Sequence, residues 1–136
     1  MIKEKASKSR RHQRPYSPPG LRVLRGPGDS YEKGARWMIA DSHGFASVEL
    51  MRDQSALHPD TMYIEHLEVG QGDRGQGHGR GLLSKVEVFA ANVGAKWLQI
   101  DSEAEAAGFW HRMGFQETGE VFYGGKVSMV KKINGS

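Results

Sequence analysis

The chain has no cysteine among its 136 residues, which excludes disulfides, a thiolate nucleophile and cysteine-based zinc sites. No apolar run approaches the roughly 20 residues a membrane span needs, and the first residues lack the apolar stretch of a signal peptide. The six histidines never recur at a ligand spacing such as H-x-x-x-H, so no metal is expected. There is no Gly-Lys-Ser/Thr, which rules out a P-loop, and there is no internal repeat or heptad pattern. These absences point to a cytoplasmic protein without a membrane partner.

What is present fits one compact domain. With 38% hydrophobic residues, a chain of this length buries roughly 65–70% of its unfolded surface without staples. The net charge of +3 is unevenly placed: residues 1–20 hold Lys3, Lys5, Lys8, Arg10, Arg11 and Arg14 against Glu4, a surplus of five, so the remainder sums to −2. Residues 1–20, ending in Arg14-Pro15-Tyr16-Ser17-Pro18-Pro19-Gly20, are too poor in apolar side chains to offset ordering entropy and read as a flexible basic tail. Such a tail suits nucleic acid or another acidic partner, or is simply solvated. Residues 21–136 form the domain.

Leu21 to Arg25 reads as a first strand. Arg36–Asp41 and Phe45–Met51 flank the hairpin turn Ser42-His43-Gly44, and a further strand covers 62–69. Short links make these strands antiparallel. The period then changes: Leu82, Leu83, Val86, Phe89, Ala90 and Val93 recur at three and four residues, one apolar helical face ending at Gly94. Trp97–Asp101, reached through that helix, should run parallel to 62–69. Ser102-Glu103-Ala104-Glu105 fits a capping box opening a second helix that bears Ala106, Phe109, Trp110 and Met113. Strands near Phe115–Glu117 and Val127–Lys131 close an α/β chain with a mixed, mostly antiparallel sheet.

The most informative run is Arg74-Gly75-Gln76-Gly77-His78-Gly79-Arg80-Gly81-Leu82-Leu83, at a strand-to-helix junction. Glycines there let a ligand approach bare backbone. The first turn of a helix offers unpaired N–H groups and a dipole that favours negative charge. The run therefore reads as a pyrophosphate cradle, with Arg74 and Arg80 at hand for the charge. Gly70-Gln71-Gly72-Asp73-Arg74-Gly75 also matches G-x-G-x-x-G, but a doubly wound domain wants that signature after its first strand; here four strands come before it.

Val69-Gly70-Gln71-Gly72-Asp73-Arg74-Gly75-Gln76-Gly77-His78-Gly79 resembles the acetyl-CoA signature of Gcn5-related N-acetyltransferases, in which a strand-ending valine is followed four residues later by Arg/Gln-x-x-Gly-x-Gly/Ala. Ala106-Ala107-Gly108-Phe109-Trp110-His111-Arg112-Met113-Gly114-Phe115 looks like that family's A-x-x-F-Y-x-x-x-G-F. The resemblance spans residues 35–131 and implies the GNAT fold, with a V-shaped splay between the strands at 62–69 and 97–101 and two main helices. It implies acetyl-CoA as co-substrate, with Gly75, Gln76, Gly77, His78, Gly79 and Arg80 at the pyrophosphate and Arg74 opening the loop. Leu67 and Val69 would pair with the pantetheine arm through their backbone, and Phe109 would pack near it. Glu103 stands where the family often has asparagine.

Acetyl transfer to an amine needs the amine neutral, and for a lysine-like group that costs roughly 4–5 kcal/mol at pH 7. Glu65 is the expected base, with Glu68 and His66 in reserve; strand alternation puts Glu65 on one face with Leu67 and Val69, with His66 and Glu68 opposite. Cross-strand pairing with a cation is its alternative role. Trp110 replaces the family tyrosine and cannot act as an acid, which leaves Tyr123, Ser102 or solvent for the departing thiolate. Asp101, Glu103 and Glu105 lie near the acceptor entrance and would attract a cation, or simply complement a helix N-terminus. Only Gly26 to Lys33 separate the first two strands, so the family's first two helices are missing. That predicts an open acceptor site, or one completed by the tail or by a second subunit of a homodimer, and favours a macromolecular amine over a small one. The reading is an N-acetyltransferase acting through a direct ternary complex on a primary amine, protein or small molecule. Its alternative is a non-catalytic module that holds CoA or a partner while the tail contacts nucleic acid.

Overall fold

The computed structural model describes residues 17–27, 31–52, 56–70, 75–122 and 124–133. Most of the expected tail, residues 1–16, lies outside these, as do Arg74 and Tyr123. Seven strands form one sheet: β1 (Arg22–Arg25), β2 (Arg36–Ala40), β3 (Gly44–Leu50), β4 (Thr61–Val69), β5 (Trp97–Ser102), β6 (Gln116–Val121) and β7 (Val127–Lys132), in the order β1-β2-β3-β4-β5-β7-β6. Helix α1 (His78–Asn92) crosses from β4 to β5, and a 3₁₀ turn at Ala104–Ala106 leads into α2 (Ala107–Arg112). Every strand pair is antiparallel except β4–β5. This is the mixed sheet with two helices that the sequence predicts.

Alternation explains the sheet. Trp37, Ile39, Val48, Leu50, Met62, Ile64, Leu98 and Met129 are buried and join one apolar cluster with Leu82, Leu83, Val86, Phe89 and Ala90 of α1. Phe89 has no exposed surface and meets Trp37 edge-on at 5.3 Å. Two ion pairs fasten α1 at its flanks: Lys85 to Asp41 at 3.1 Å and Lys131 to Glu87 at 3.0 Å. Beyond Val93 the helix is stopped by Gly94 at φ 98°, a left-handed residue of the kind that ends helices. The described residues between β1 and β2 contain no helix; Tyr31 of that link packs edge-on against Trp37 at 5.5 Å.

The parallel seam is short. Thr61–Trp97, Met62–Leu98 and Tyr63–Gln99 pair, and there the ladder ends. Beyond it β4 continues to Val69 and β5 to Ser102 without pairing to each other. β5 meanwhile stays paired with β7 over its whole length. A gap between two strand edges therefore opens toward the glycine run.

Two expectations need correction. Val48 pairs with Ile64 but Ser47 with His66, so Glu65 is the extra residue of a β-bulge. A bulge shifts the count of two by one. Leu67 and Val69 keep the α1-facing side with Ile64, opposite buried Ala46 and half-buried Gly44, whereas Glu65 points to the other face with Ser47, His66 and Glu68. The capping box does not form either: Ser102 is a buried strand residue whose hydroxyl donates to the Glu103 carbonyl at 2.7 Å, and Glu103 occupies the cap position without a side-chain bond.

Candidate active site

The α1 N-terminus is built from backbone alone. Gly75 and Gly77 hold φ 80° and 82°, and a Cβ on either would meet nothing within 4 Å. Gly77 is the N-cap; no side chain caps the helix, and its first turn carries no acidic residue. The N–H groups of a first turn have no intrahelical acceptor, so those of His78, Gly79 and Arg80 are available to an anion. A Cβ at Gly79 would lie 3.5 Å from the Phe109 ring and 3.8 Å from Val69 Cγ2. The structure thus brings Val69, Gly79 and Phe109 together where the β4–β5 gap meets the helix. This unblocked, uncapped, positively biased notch fits the diphosphate of an extended ligand lying in the gap.

The β2–β3 hairpin braces the notch. Asp41, its side chain 2% exposed, accepts bonds from the His43 and Gly44 N–H groups at 2.8 and 2.9 Å. Burial alone would raise its pKa, but those two bonds and Lys85 outweigh it and hold the carboxyl below its ordinary value. His43 stacks on His78 with ring centres 3.5 Å apart, and its carbonyl accepts from Gly70 N–H at 2.7 Å. Gly44 is required here, because a Cβ would strike the Glu68 carbonyl and lie 2.9 Å from Val69 Cα.

On the face away from α1, Glu65 accepts from Ser47 Oγ at 3.1 Å and lies 3.5 Å from Arg36 Nη2. Arg36 also reaches Glu49 at 3.5 Å, so the cross-strand cation is present as well. Beside Glu65, Tyr63 donates to Asp101 Oδ2 at 2.9 Å. Burial, that hydrogen bond and the charges of Asp101, Glu65 and Glu49 push its phenol up to about 12, so Tyr63 stays protonated at any working pH. Sequence reasoning passed over Tyr63. Its signal was alternation with Glu65, two residues further along β4. Trp110 is 6% exposed, edge-on to Phe109 and Phe115, and serves the core. Glu103 meets Lys126 at 3.7 Å. Among the described residues no cluster of three acidic, histidine or cysteine side chains could hold a metal, and no helix is long and apolar enough to cross a membrane.

A splayed parallel pair followed by a glycine-led helix defines the class of acyl-CoA N-acyltransferases. The model of the acetyltransferase (GNAT) domain matches residues 32–131, and the chain belongs to that family: it is an acetyl-CoA-dependent N-acetyltransferase. It is 33% identical over 127 residues to the streptothricin acetyltransferase of Streptomyces lavendulae, covering 84% of this chain and 67% of that protein. Nourseothricin acetyltransferase superposes with a TM-score of 0.55 at 23% identity, over 73% of this chain and 65% of that one. An aminoglycoside 6'-N-acetyltransferase complexed with coenzyme A gives 0.60 at 14% identity, over 74% of each. The chain thus spans about two thirds of the length of its antibiotic-acetylating relatives.

Proposed function

We propose that this chain acetylates a primary amine by direct attack, with amine and acetyl-CoA bound together. The observation that carries the reading is the main-chain notch at Gly77–Arg80 opening onto the β4–β5 gap. Acetyl-CoA supplies an acetyl group activated as a thioester. The amides of Gly75 through Arg80 hold its diphosphate, assisted by the Arg80 and Arg74 side chains. The β4 edge at Leu67 and Val69 aligns the arm, and Phe109 packs beside it. Glu65 sits two residues beyond the last β4–β5 pair, on the face from which an acceptor approaches. There it takes the proton of the incoming ammonium, so that the nitrogen lone pair can form the N–C bond; as the C–S bond breaks, the nitrogen sheds a second proton to solvent and becomes the amide. Tyr123 returns a proton to the departing thiolate. A CoA thiolate leaves tolerably well unaided, so Tyr123→Phe slows the reaction without abolishing it.

The kinship with antibiotic acetyltransferases favours a small-molecule amine as acceptor, against the macromolecular amine that the missing helices favour. Release of free CoA thiol, followed across an amine panel, tests the reading. Glu65→Gln is expected to lower kcat by roughly 10²–10⁴-fold while calorimetry shows CoA bound as before. Full retention of kcat removes Glu65 from the role. If CoA and acetyl-CoA fail to bind at all, the assignment of the notch fails with it.

A further inference from the structure

Among the described residues, the face away from α1 holds more carboxylate than its paired cations neutralise. Glu49, Glu65 and Asp101 surround Tyr63, and Arg36 is the cation paired with the first two. Two buried oxygens on the face of Tyr63, Asp101 Oδ1 and Gln99 Oε1, have no hydrogen-bond partner among the described residues. Gln99 is 8% exposed and is the register partner of Tyr63. Asp101 lies two residues further along β5, so both side chains share the face of Tyr63. Buried acceptors are normally satisfied, and an unmet one is costly. Here two acceptors sit together, one of them a carboxylate whose other oxygen is fixed by a phenol that keeps its proton.

What such a place lacks is a donor with positive charge and no acceptor of its own. An ammonium is that group, with three donors and none of the lone pairs that these oxygens would repel. We propose that Asp101, Gln99 and Tyr63 form a second cation subsite, and that the acceptor is therefore a diamine or polyamine: one amine faces Glu65 and another is held here. The proposal rests on the acetyltransferase reading given above and adds the substrate class. Tyr63 and Glu65 are two positions apart on one strand, on the order of 7 Å, a span that the carbon linker of a short polyamine bridges. Both oxygens lie beneath the surface, so the ligand is met as the Gln99 side chain turns aside, while Asp101 keeps its bond to Tyr63. Carboxylates on this scale also draw cations toward the face, an attraction that salt weakens.

The test compares spermidine with butylamine on the full chain. For turnover, kcat/KM for spermidine is expected to exceed that for butylamine by at least about tenfold, the factor that 1.4 kcal/mol represents, with the margin shrinking in high salt. Asp101→Asn should bring the ratio close to one by raising KM for spermidine. Gln99→Leu separates a subsite from a structural role: deleting an unsatisfied oxygen should raise the melting temperature while weakening spermidine binding in calorimetry. Equal kcat/KM for the two amines, or Gln99→Leu and Asp101→Asn binding spermidine as the parent does, overturns the subsite but leaves acetyl transfer standing. Absence of turnover with every amine strikes the earlier reading instead, and calorimetry with spermidine still decides the subsite.

Discussion

Gly77 shows how a single residue serves both fold and ligand. At φ 82° it lies in the region that costs a residue with a Cβ about 1–2 kcal/mol, yet the space around it is open. Gly77→Ala is therefore expected to lower the melting temperature by a few degrees and leave CoA binding measurable. Gly77→Glu adds the same strain and sets a negative charge against the diphosphate, so calorimetry should show CoA affinity lost. Equal affinity in the two variants would remove the notch from the binding site. Glu65 teaches the opposite lesson about legibility. Its place on β4 was readable, but the face it points to was not. Alternation holds only while pairing is regular, and nothing in Ile64-Glu65-His66 marks a bulge.

At the scale of elements, apolar periodicity was a dependable guide. The five α1 residues named from spacing, and Val93 just past its end, are buried, and the hairpin turn, the parallel crossover and the glycine helix stops are where the pattern puts them. Pairing register was not readable, because it depends on where two distant segments meet. That is why Tyr63, Gln99 and Asp101 escaped notice as a group. The capping box misled for a related reason: Ser102 is drawn into β5 by its ladder with Val127, and its hydroxyl is used there. Register also makes Gly44 sensitive. Gly44→Ala would push β3 away from the end of β4, costing about 1–3 kcal/mol as overpacking does. Because Gly70 hangs from the His43 carbonyl, KM for acetyl-CoA should rise as thermal stability falls. An unchanged KM would show that the hairpin does not brace the notch.

For the molecule as a whole, Asp41 ties the hairpin to α1 and makes stability depend on acid. Its carboxyl is held below the ordinary value near 3.9, so the folded state prefers it ionised. Its contribution is complete above that ordinary value and is lost as pH falls through its own lower one. Melting temperatures measured from pH 6 down to pH 3 should fall for the parent chain. The fall should be shallower for Asp41→Asn, which starts lower because Lys85 has lost its partner. Parallel curves for the two proteins would assign the acid sensitivity elsewhere.

The three-pair seam between β4 and β5 makes the sheet two leaves sharing a brief binding. One leaf holds β1 to β4, the other β5 to β7, and α1 is the spine between them. A molecule slipped into the open margin touches both leaves and acts as mortar. Anything that binds only the folded form raises its stability by mass action. Capturing the coenzyme and keeping the book closed are in this architecture the same event.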